Sequence, residues 1–134
     1  MCDRRGLPLT VLTSAANTHD SQLLMPLLNS IAPIRNRRGR PRRRPVKLHA
    51  DKAYDQPALR REVRRRGIIV RIARKGIESS QRLGRHRWIV EACLAWLQRN
   101  RRLVRRYDRK PEHFQAFADL GCTPLCYRRL VNTN

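Results

Sequence analysis

The chain has 134 residues, of which 31 are Lys or Arg and 10 are Asp or Glu, so its formal net charge is +21. This length corresponds to one domain, and the apolar residues occur in blocks that allow a modest core. No apolar run approaches the roughly 20 residues that span a bilayer, and the first residues lack the apolar stretch of a signal peptide. These features argue against a membrane-embedded or exported protein and predict a cytoplasmic one.

The excess positive charge is carried mainly by arginine, whose planar guanidinium pairs with two phosphate oxygens at once. A nucleic acid is therefore the expected partner, ahead of an anionic membrane surface. The four cysteines show no C-x-x-C spacing and the four histidines are scattered, so the sequence indicates no zinc site. We interpret the cysteines as small buried apolar side chains in a reducing compartment.

The first third of the chain predicts a strand, a helix and a basic loop. The strand is expected over residues 6–14, and the helix begins near Asn17 and ends before Pro33. Residues 35–47 contain eight Arg or Lys together with a glycine and two prolines. Such a segment cannot bury itself, so we expect a solvated loop.

The rest of the chain predicts two short strands and three helices. The strands are expected over 46–50 and 68–73, and the helices over 57–66, 85–107 and 111–130. The order strand, helix, strand, helix, strand, helix, helix predicts a mixed α/β sheet with flanking helices.

Two carboxylates are candidates for chemistry. Asp51 follows the 46–50 strand, where open α/β sheets place ligand-binding groups, although an aspartate there is also a common turn or cap residue. Glu91 lies on the arginine-rich side of the 85–107 helix. It could form an ion pair with Arg87 or bind a metal ion, and the sequence allows both. The opposite, apolar face of that helix is predicted to contain Ile89, Cys93, Trp96, Leu97 and Val104.

Five sequence stretches carry a resemblance to a known family: ADKAYD at 50–55, GIIVRIAR at 67–74, GRHRWIVE at 84–91, LAWLQRNRRL at 94–103 and YDR at 107–109. They resemble insertion-sequence transposases of the DDE class, in the bacterial IS-five group, and the similarity extends over nearly the whole chain. The resemblance implies a ribonuclease-H-like fold, here truncated. It also implies a role in DNA transposition through metal-dependent cleavage and joining of phosphodiester bonds.

The resemblance also assigns roles to individual residues. The second and third catalytic carboxylates of the family, which hold two divalent ions, fall on Asp51 and Glu91, and Arg87 matches a family arginine. Mg²⁺ suits such hard oxygen ligands, and two ions activate the attacking and leaving oxygens of a phosphodiester. The arginines expected to contact DNA are Arg38, Arg40, Arg42, Arg43, Arg87, Arg99 and Arg102.

The chain also departs from the family pattern. The first family aspartate has no equivalent, because Asp3 precedes an Arg-Gly turn and Asp20 resembles a helix cap. Gly84, Ala92 and Gln98 stand where relatives carry tyrosine, arginine and lysine.

Residues 1–134 are therefore expected to be the carboxyl-terminal portion of a DDE catalytic domain that is inactive alone. Its expected partners are DNA and either the amino-terminal half or further copies of itself; a split reading frame and a decayed element both fit.

Two other classes of function remain open. A non-catalytic basic DNA-binding module, acting as an inhibitor of transposition, would also carry this charge. An RNA-binding ribosomal protein fits the charge but gives no reason for the setting of Asp51 and Glu91. If the chain binds DNA, we expect it to associate with the bacterial nucleoid.

Overall fold

The structure, a computed structural model, describes residues 1–35, 39–76 and 80–132, without the side chains of residues 80–87. Two compact units are formed: unit 1 contains Met1–Ala16 and His86–Asn134, and unit 2 contains Asn17–Arg85. The elements in the described ranges are α1 (Asp20–Asn29), β1 (Lys47–Ala50), a 3₁₀ helix (Lys52–Tyr54), α2 (Pro57–Arg65), β2 (Ile69–Ile72), α3 (Ser80–Gln98), α4 (Arg101–Val104) and α5 (Pro111–Val131). The prediction of a mixed α/β fold is confirmed.

Unit 2 is built around two parallel strands. β1 pairs with β2 in the register Leu48 to Val70, and the α2 crossover connects them as parallel strands require. Pro57 stands at the start of α2, where its missing N–H costs nothing. Gly67 follows the helix at a φ of +70°, in the left-handed region that glycine adopts without strain. The fully buried side chain of Val63 anchors α2 in the core of this unit.

The predicted helix near Asn17 is confirmed as α1. His19 caps it, because its Nδ1 accepts the N–H of Ser21. Leu24 and Leu28 are buried on one face, at the spacing of one helical turn. Pro26 lies inside the helix rather than in its first turn, so α1 forms despite the donor that this residue lacks.

The predicted strand at residues 6–14 is wrong. Within unit 1 this segment makes only an isolated antiparallel bridge between Cys2 and Pro8, and Asp3 folds the chain into a turn. Further along, the side chain of Gln115 accepts the N–H of Thr13 at 2.8 Å and donates to the carbonyl oxygen of Val11 at 2.9 Å. A helix side chain thus satisfies backbone groups that a neighbouring strand would otherwise pair.

The predicted apolar face of the long helix is only partly correct. Cys93 and Leu97 are buried, but Trp96 is 41% exposed and Val104 is 67% exposed. Val104 was misplaced because α3 ends at Gln98 and the chain re-enters a helix as α4, so the helical phase is interrupted. The final predicted helix is confirmed as α5, which continues through Pro124. None of the helices in the described ranges combines the length and apolar character that a bilayer crossing requires.

Candidate nucleic-acid interface

The basic loop of unit 2 exposes its arginines. Arg40, Arg42 and Arg43 are exposed, and none of them forms an ion pair with a carboxylate in the part of the chain that the structure describes. Two backbone hydrogen bonds between Ile34 and Arg42, of 2.8 and 2.9 Å, hold the base of the loop. Guanidinium groups displayed in this way are available to phosphate oxygens. Arg38, the fourth predicted contact in this loop, lies outside the described residues.

Arg44, in the same loop, has a different role. Its Nη1 donates to the carbonyl oxygen of Arg66 at 2.6 Å, at the end of α2. The guanidinium also lies over Gly67, where an added Cβ would meet Nη1 at 3.0 Å. Arg44 therefore fastens the loop to α2, and we regard it as a structural residue.

Other arginines of unit 2 are held by carboxylates. Arg60 Nε lies 2.6 Å from Asp55 Oδ1, and Arg60 Nη2 donates to the carbonyl oxygen of Ile72 at 2.8 Å. The pKa of the Asp55 carboxyl is lowered, first by the backbone N–H of Lys75 and then by Arg60. Glu62 binds two arginines, Arg65 and Arg66, and their hydrogen bonds lower its pKa from 4.5 to about 2.

The arginines of unit 1 are held mainly by aromatic rings. Arg99 lies 5.3 Å from the ring centroid of Trp96, and Arg102 lies 4.6 Å from that of Phe117. Arg102 Nη1 is also 3.8 Å from Asp108 Oδ1, yet 57% of the arginine side chain remains exposed. Stacking of this kind orients a guanidinium without neutralising its charge. The predicted DNA contacts Arg99 and Arg102 are therefore fixed in position but still open to an anion.

Asp51 lies at the carboxyl end of β1 in unit 2 and is exposed. Its carboxylate accepts the N–H of Lys52 and caps the short 3₁₀ helix, so the cap interpretation of this residue is confirmed. Burial of Tyr54 raises its pKa, and the nearby carboxylates of Asp20 and Asp51 raise it further. The prediction that Asp20 caps a helix is wrong, because His19 is the cap of α1 and Asp20 is the first helical residue. Its carboxylate acts on the same tyrosine as that of Asp51. Because Asp20 and Asp51 are far apart in the sequence, the sequence did not indicate that they act on the same tyrosine.

Glu91 lies on an exposed side of α3, in unit 1. Its predicted partner, Arg87, is one of the residues whose side chains are not described, so their ion pair stays a prediction. Asp51 and Glu91 belong to different units. Among the described residues, no group of three or more His, Cys, Asp or Glu side chains converges as a metal site would require. Carboxylate oxygens are the type of ligand that a hard divalent cation prefers.

Comparison with known proteins identifies the family. The family described as the transposase DDE domain matches residues 1–123. The chain belongs to this family. It is also 41% identical, over 128 residues, to a protein of Burkholderia cepacia that carries the name of a transposase for insertion sequence element IS402. The alignment covers 96% of this chain but 61% of that relative's length. No solved structure matches the chain significantly.

These findings confirm the predicted resemblance to insertion-sequence DDE transposases. The sequence signal came from the five stretches named above, two of which contain the candidate carboxylates Asp51 and Glu91. All five fall within the residues that the family matches.

Proposed function

We propose that this chain functions in DNA transposition as the carboxyl-terminal part of a DDE transposase catalytic domain with a ribonuclease-H-like fold. The family match over residues 1–123 is the observation that carries this proposal. The chain spans 61% of the length of its IS402 relative, which is consistent with a partial catalytic domain. The mixed α/β architecture is consistent with the proposed fold.

DNA is the proposed partner, bound mainly through its phosphates. The excess of cations over carboxylates, with a net charge of +21, supplies an electrostatic attraction that does not depend on base sequence. Arg40, Arg42 and Arg43 are exposed in unit 2, and Arg99 and Arg102 are oriented on rings in unit 1. Arg38 and Arg87 belong to the same proposed set on the basis of the sequence.

Asp51 and Glu91 are each proposed as a ligand for the divalent ions that the family resemblance implies, with Mg²⁺ the best match for carboxylate oxygens. Such an ion stabilises the charge that develops on the oxygens of a phosphodiester during strand cleavage. Since the first family aspartate has no equivalent among residues 1–134, the chain alone is not expected to cleave DNA. The missing ligand would come from the amino-terminal half of the transposase or from another copy of the chain.

Salt dependence tests the DNA-binding proposal. If six arginines contact phosphates, the logarithm of the association constant for a labelled duplex falls with the logarithm of salt concentration at a slope of about −5. The triple variant Arg40→Ala, Arg42→Ala, Arg43→Ala removes three contacts and is expected to reduce the slope to about −2.5. Arg61→Ala, which removes one exposed arginine on α2, is the single-charge control. An affinity that does not change with salt would refute phosphate binding.

Complementation tests the catalytic proposal. The purified chain is mixed with the amino-terminal half of a related transposase, DNA and Mg²⁺, and strand cleavage is measured. Cleavage only in the mixture, lost in both Asp51→Ala and Glu91→Ala, is the expected result. Cleavage by the chain alone would contradict the need for a further ligand. Salt-dependent binding without cleavage in the mixture would favour the alternative function, a non-catalytic DNA-binding module that inhibits transposition.

A further inference from the structure

The amino-terminal turn of unit 1 packs directly on α3. The carboxylate of Asp3 accepts the N–H groups of Arg5 and Leu7, which closes the turn. A Cβ added to Gly6 would lie 3.6 Å from Ile89 Cγ2, so the backbone of the turn contacts α3 at that residue. Cys93 follows Ile89 by one helical turn, on the same face of α3. The turn therefore brings Cys2 to the side of α3 that carries Cys93.

The last helix packs on the same part of α3. An added Cβ at Gly121 of α5 would lie 3.5 Å from Leu97 Cδ2, and Leu97 is one turn beyond Cys93. Cys122 adjoins this contact and Cys126 lies one turn further along α5. All four cysteines of the chain thus lie in unit 1, and all four are free thiols. The sequence showed only their scattered positions.

Within this cluster, Cys2 and Cys93 are the pair that interacts most directly. Gly6 and Leu7 of the turn line the same groove as Cys93, and Cys2 pairs with Pro8 directly beside them. A hydrogen bond with Cys2 lowers the pKa of the Cys93 thiol, whereas Cys122 and Cys126 interact with Cys93 only through electrostatics. The backbone around Cys2 is also held in place. Cys2 bridges to Pro8, and the amino group of Met1 donates to the carbonyl oxygen of Thr10 at 2.8 Å. Two thiols in hydrogen-bond contact need little movement to reach the S–S bond distance.

Cys122 and Cys126 are a less suitable pair. They are four residues apart on α5, where the Cβ atoms are separated by about 5–6 Å. A disulfide requires a Cβ–Cβ distance of about 3.5–4.5 Å. Joining them would distort the helix, whereas joining Cys2 to Cys93 links two segments that already touch.

A small oxidant has access to this site. Cys93 lines an open groove of about 120 Å³ together with Gly6 and Leu7 of the turn. This volume is well above the roughly 10–15 Å³ of accessible space that one water molecule needs, and hydrogen peroxide is only slightly larger than water. The groove therefore gives a small oxidant a route to Cys93.

We propose that Cys2 and Cys93 form a site of oxidative modification that closes into an intramolecular disulfide on exposure to hydrogen peroxide. One thiol sulfur attacks a peroxide oxygen, the O–O bond breaks, and a sulfenic acid and one water are produced. The second thiol sulfur then attacks the sulfenic sulfur, the S–S bond forms, and the hydroxyl leaves with the thiol proton as a second water. Both sulfurs are oxidised and both peroxide oxygens are reduced. A thiol reductant reverses the change.

Peptide mapping tests this proposal. The folded chain is treated with hydrogen peroxide, its remaining thiols are alkylated, and it is digested with trypsin without reduction. The expected product joins the peptide Met1–Arg4 to the peptide Trp88–Arg99, with a loss of two hydrogen atoms that dithiothreitol reverses. The number of alkylated thiols is expected to fall from four to two.

Matched variants make the result specific. Cys126→Ser is expected to retain the cross-linked peptide, whereas Cys2→Ser loses it and keeps three alkylated thiols with Cys93 among them. Circular dichroism of each variant before oxidation shows that the fold is retained. In urea the preference for Cys2 with Cys93 is expected to disappear, because the contact depends on the folded unit. A cross-link from Trp88–Arg99 to the Lys110–Arg128 peptide, equal pairing in urea, or oxidation that stops at sulfenic acid would each overturn the proposal.

Discussion

Units 1 and 2 both contain many arginines, but they hold them by different chemistry. In unit 2, carboxylates and main-chain carbonyl groups bind the ordered arginines, as Arg60 does with Asp55 and Ile72. In unit 1, the faces of Trp96, Phe117 and Phe114 take most of this role. Two of these arginines have a second contact: Arg102 with the carboxylate of Asp108, and Arg106 with the carbonyl oxygens of Asp108 and Arg109. A carboxylate partner neutralises an arginine, whereas a ring leaves its charge available. Fewer arginines are therefore available to bind DNA than the chain contains. The difference is larger in unit 2 than in unit 1.

The largest expected effect tests whether the aromatic rings of unit 1 stack on arginine side chains at the surface or are buried in the core. Leu97→Ala removes a buried side chain and should lower the free energy of unfolding by about 3 kcal/mol. Trp96→Ala removes a ring that is already 41% exposed, so its cost should be about 1–2 kcal/mol. Urea denaturation measures both values. A larger loss for Trp96→Ala than for Leu97→Ala would place the ring in the core and contradict this comparison.

The next effect concerns the arginines that unit 2 binds internally. Arg60→Ala leaves the carbonyl oxygen of Ile72 without its donor and should destabilise the protein by about 2 kcal/mol. Arg61→Ala, at the neighbouring exposed position of α2, should change stability by no more than about 0.5 kcal/mol. Equal melting temperatures for the two variants would show that the contacts of Arg60 are not stabilising.

A smaller effect is expected for a ring-bound arginine of unit 1. Arg102→Ala loses the contact with Phe117, which should cost about 1 kcal/mol, and Arg101→Ala on the same short helix is the exposed control. Arg102→Lys retains the positive charge but not the planar stacking. We expect this variant to bind DNA with an unchanged salt slope while it loses part of the stability. A reduced salt slope in Arg102→Lys would show that the guanidinium geometry itself is required for the phosphate contact.

The smallest expected effect is a pH dependence that belongs to unit 2. Because Arg65 and Arg66 lower the pKa of Glu62 from 4.5 to about 2, the folded state favours the ionised carboxylate. The stabilisation is therefore complete above pH 4.5 and is lost as the pH falls toward 2. Melting curves should show Glu62→Gln below the wild type at neutral pH, with the difference closing over that range. A difference that persists at pH 2 would refute the assignment to this carboxylate.

Much of unit 2 was predictable because its signals are local. Proline at the start of α2, glycine after its end, and the apolar runs at 46–50 and 68–73 define a helix between two strands without reference to any distant residue. The exposed state of the basic loop follows in the same way, since so many like charges cannot be buried together. The motifs around Asp51 and Glu91 were sufficient to identify the family.

Unit 1 was less predictable because its contacts join distant parts of the sequence. Residues 6–14 have the composition of a strand, yet Gln115 takes the place of a strand partner at Thr13, across a separation of 102 residues. The apolar pattern around α3 could not distinguish buried Leu97 from half-exposed Trp96. That distinction depends on where α5 packs, which Gly121 decides by its close approach to Leu97.

The amino-acid sequence by itself determined the charge, the α/β character, the two strands and the helices α1 and α2 of unit 2, and membership of the DDE family. These properties depend on composition, on short-range backbone preferences and on motifs that are contiguous in the chain. Only the tertiary structure decided which arginines are bound internally, that Asp20 approaches Tyr54, and that Cys2 meets Cys93. The physical reason is that each of these outcomes requires side chains from separate segments to come within contact distance, and such contacts follow from packing of the folded chain rather than from local sequence.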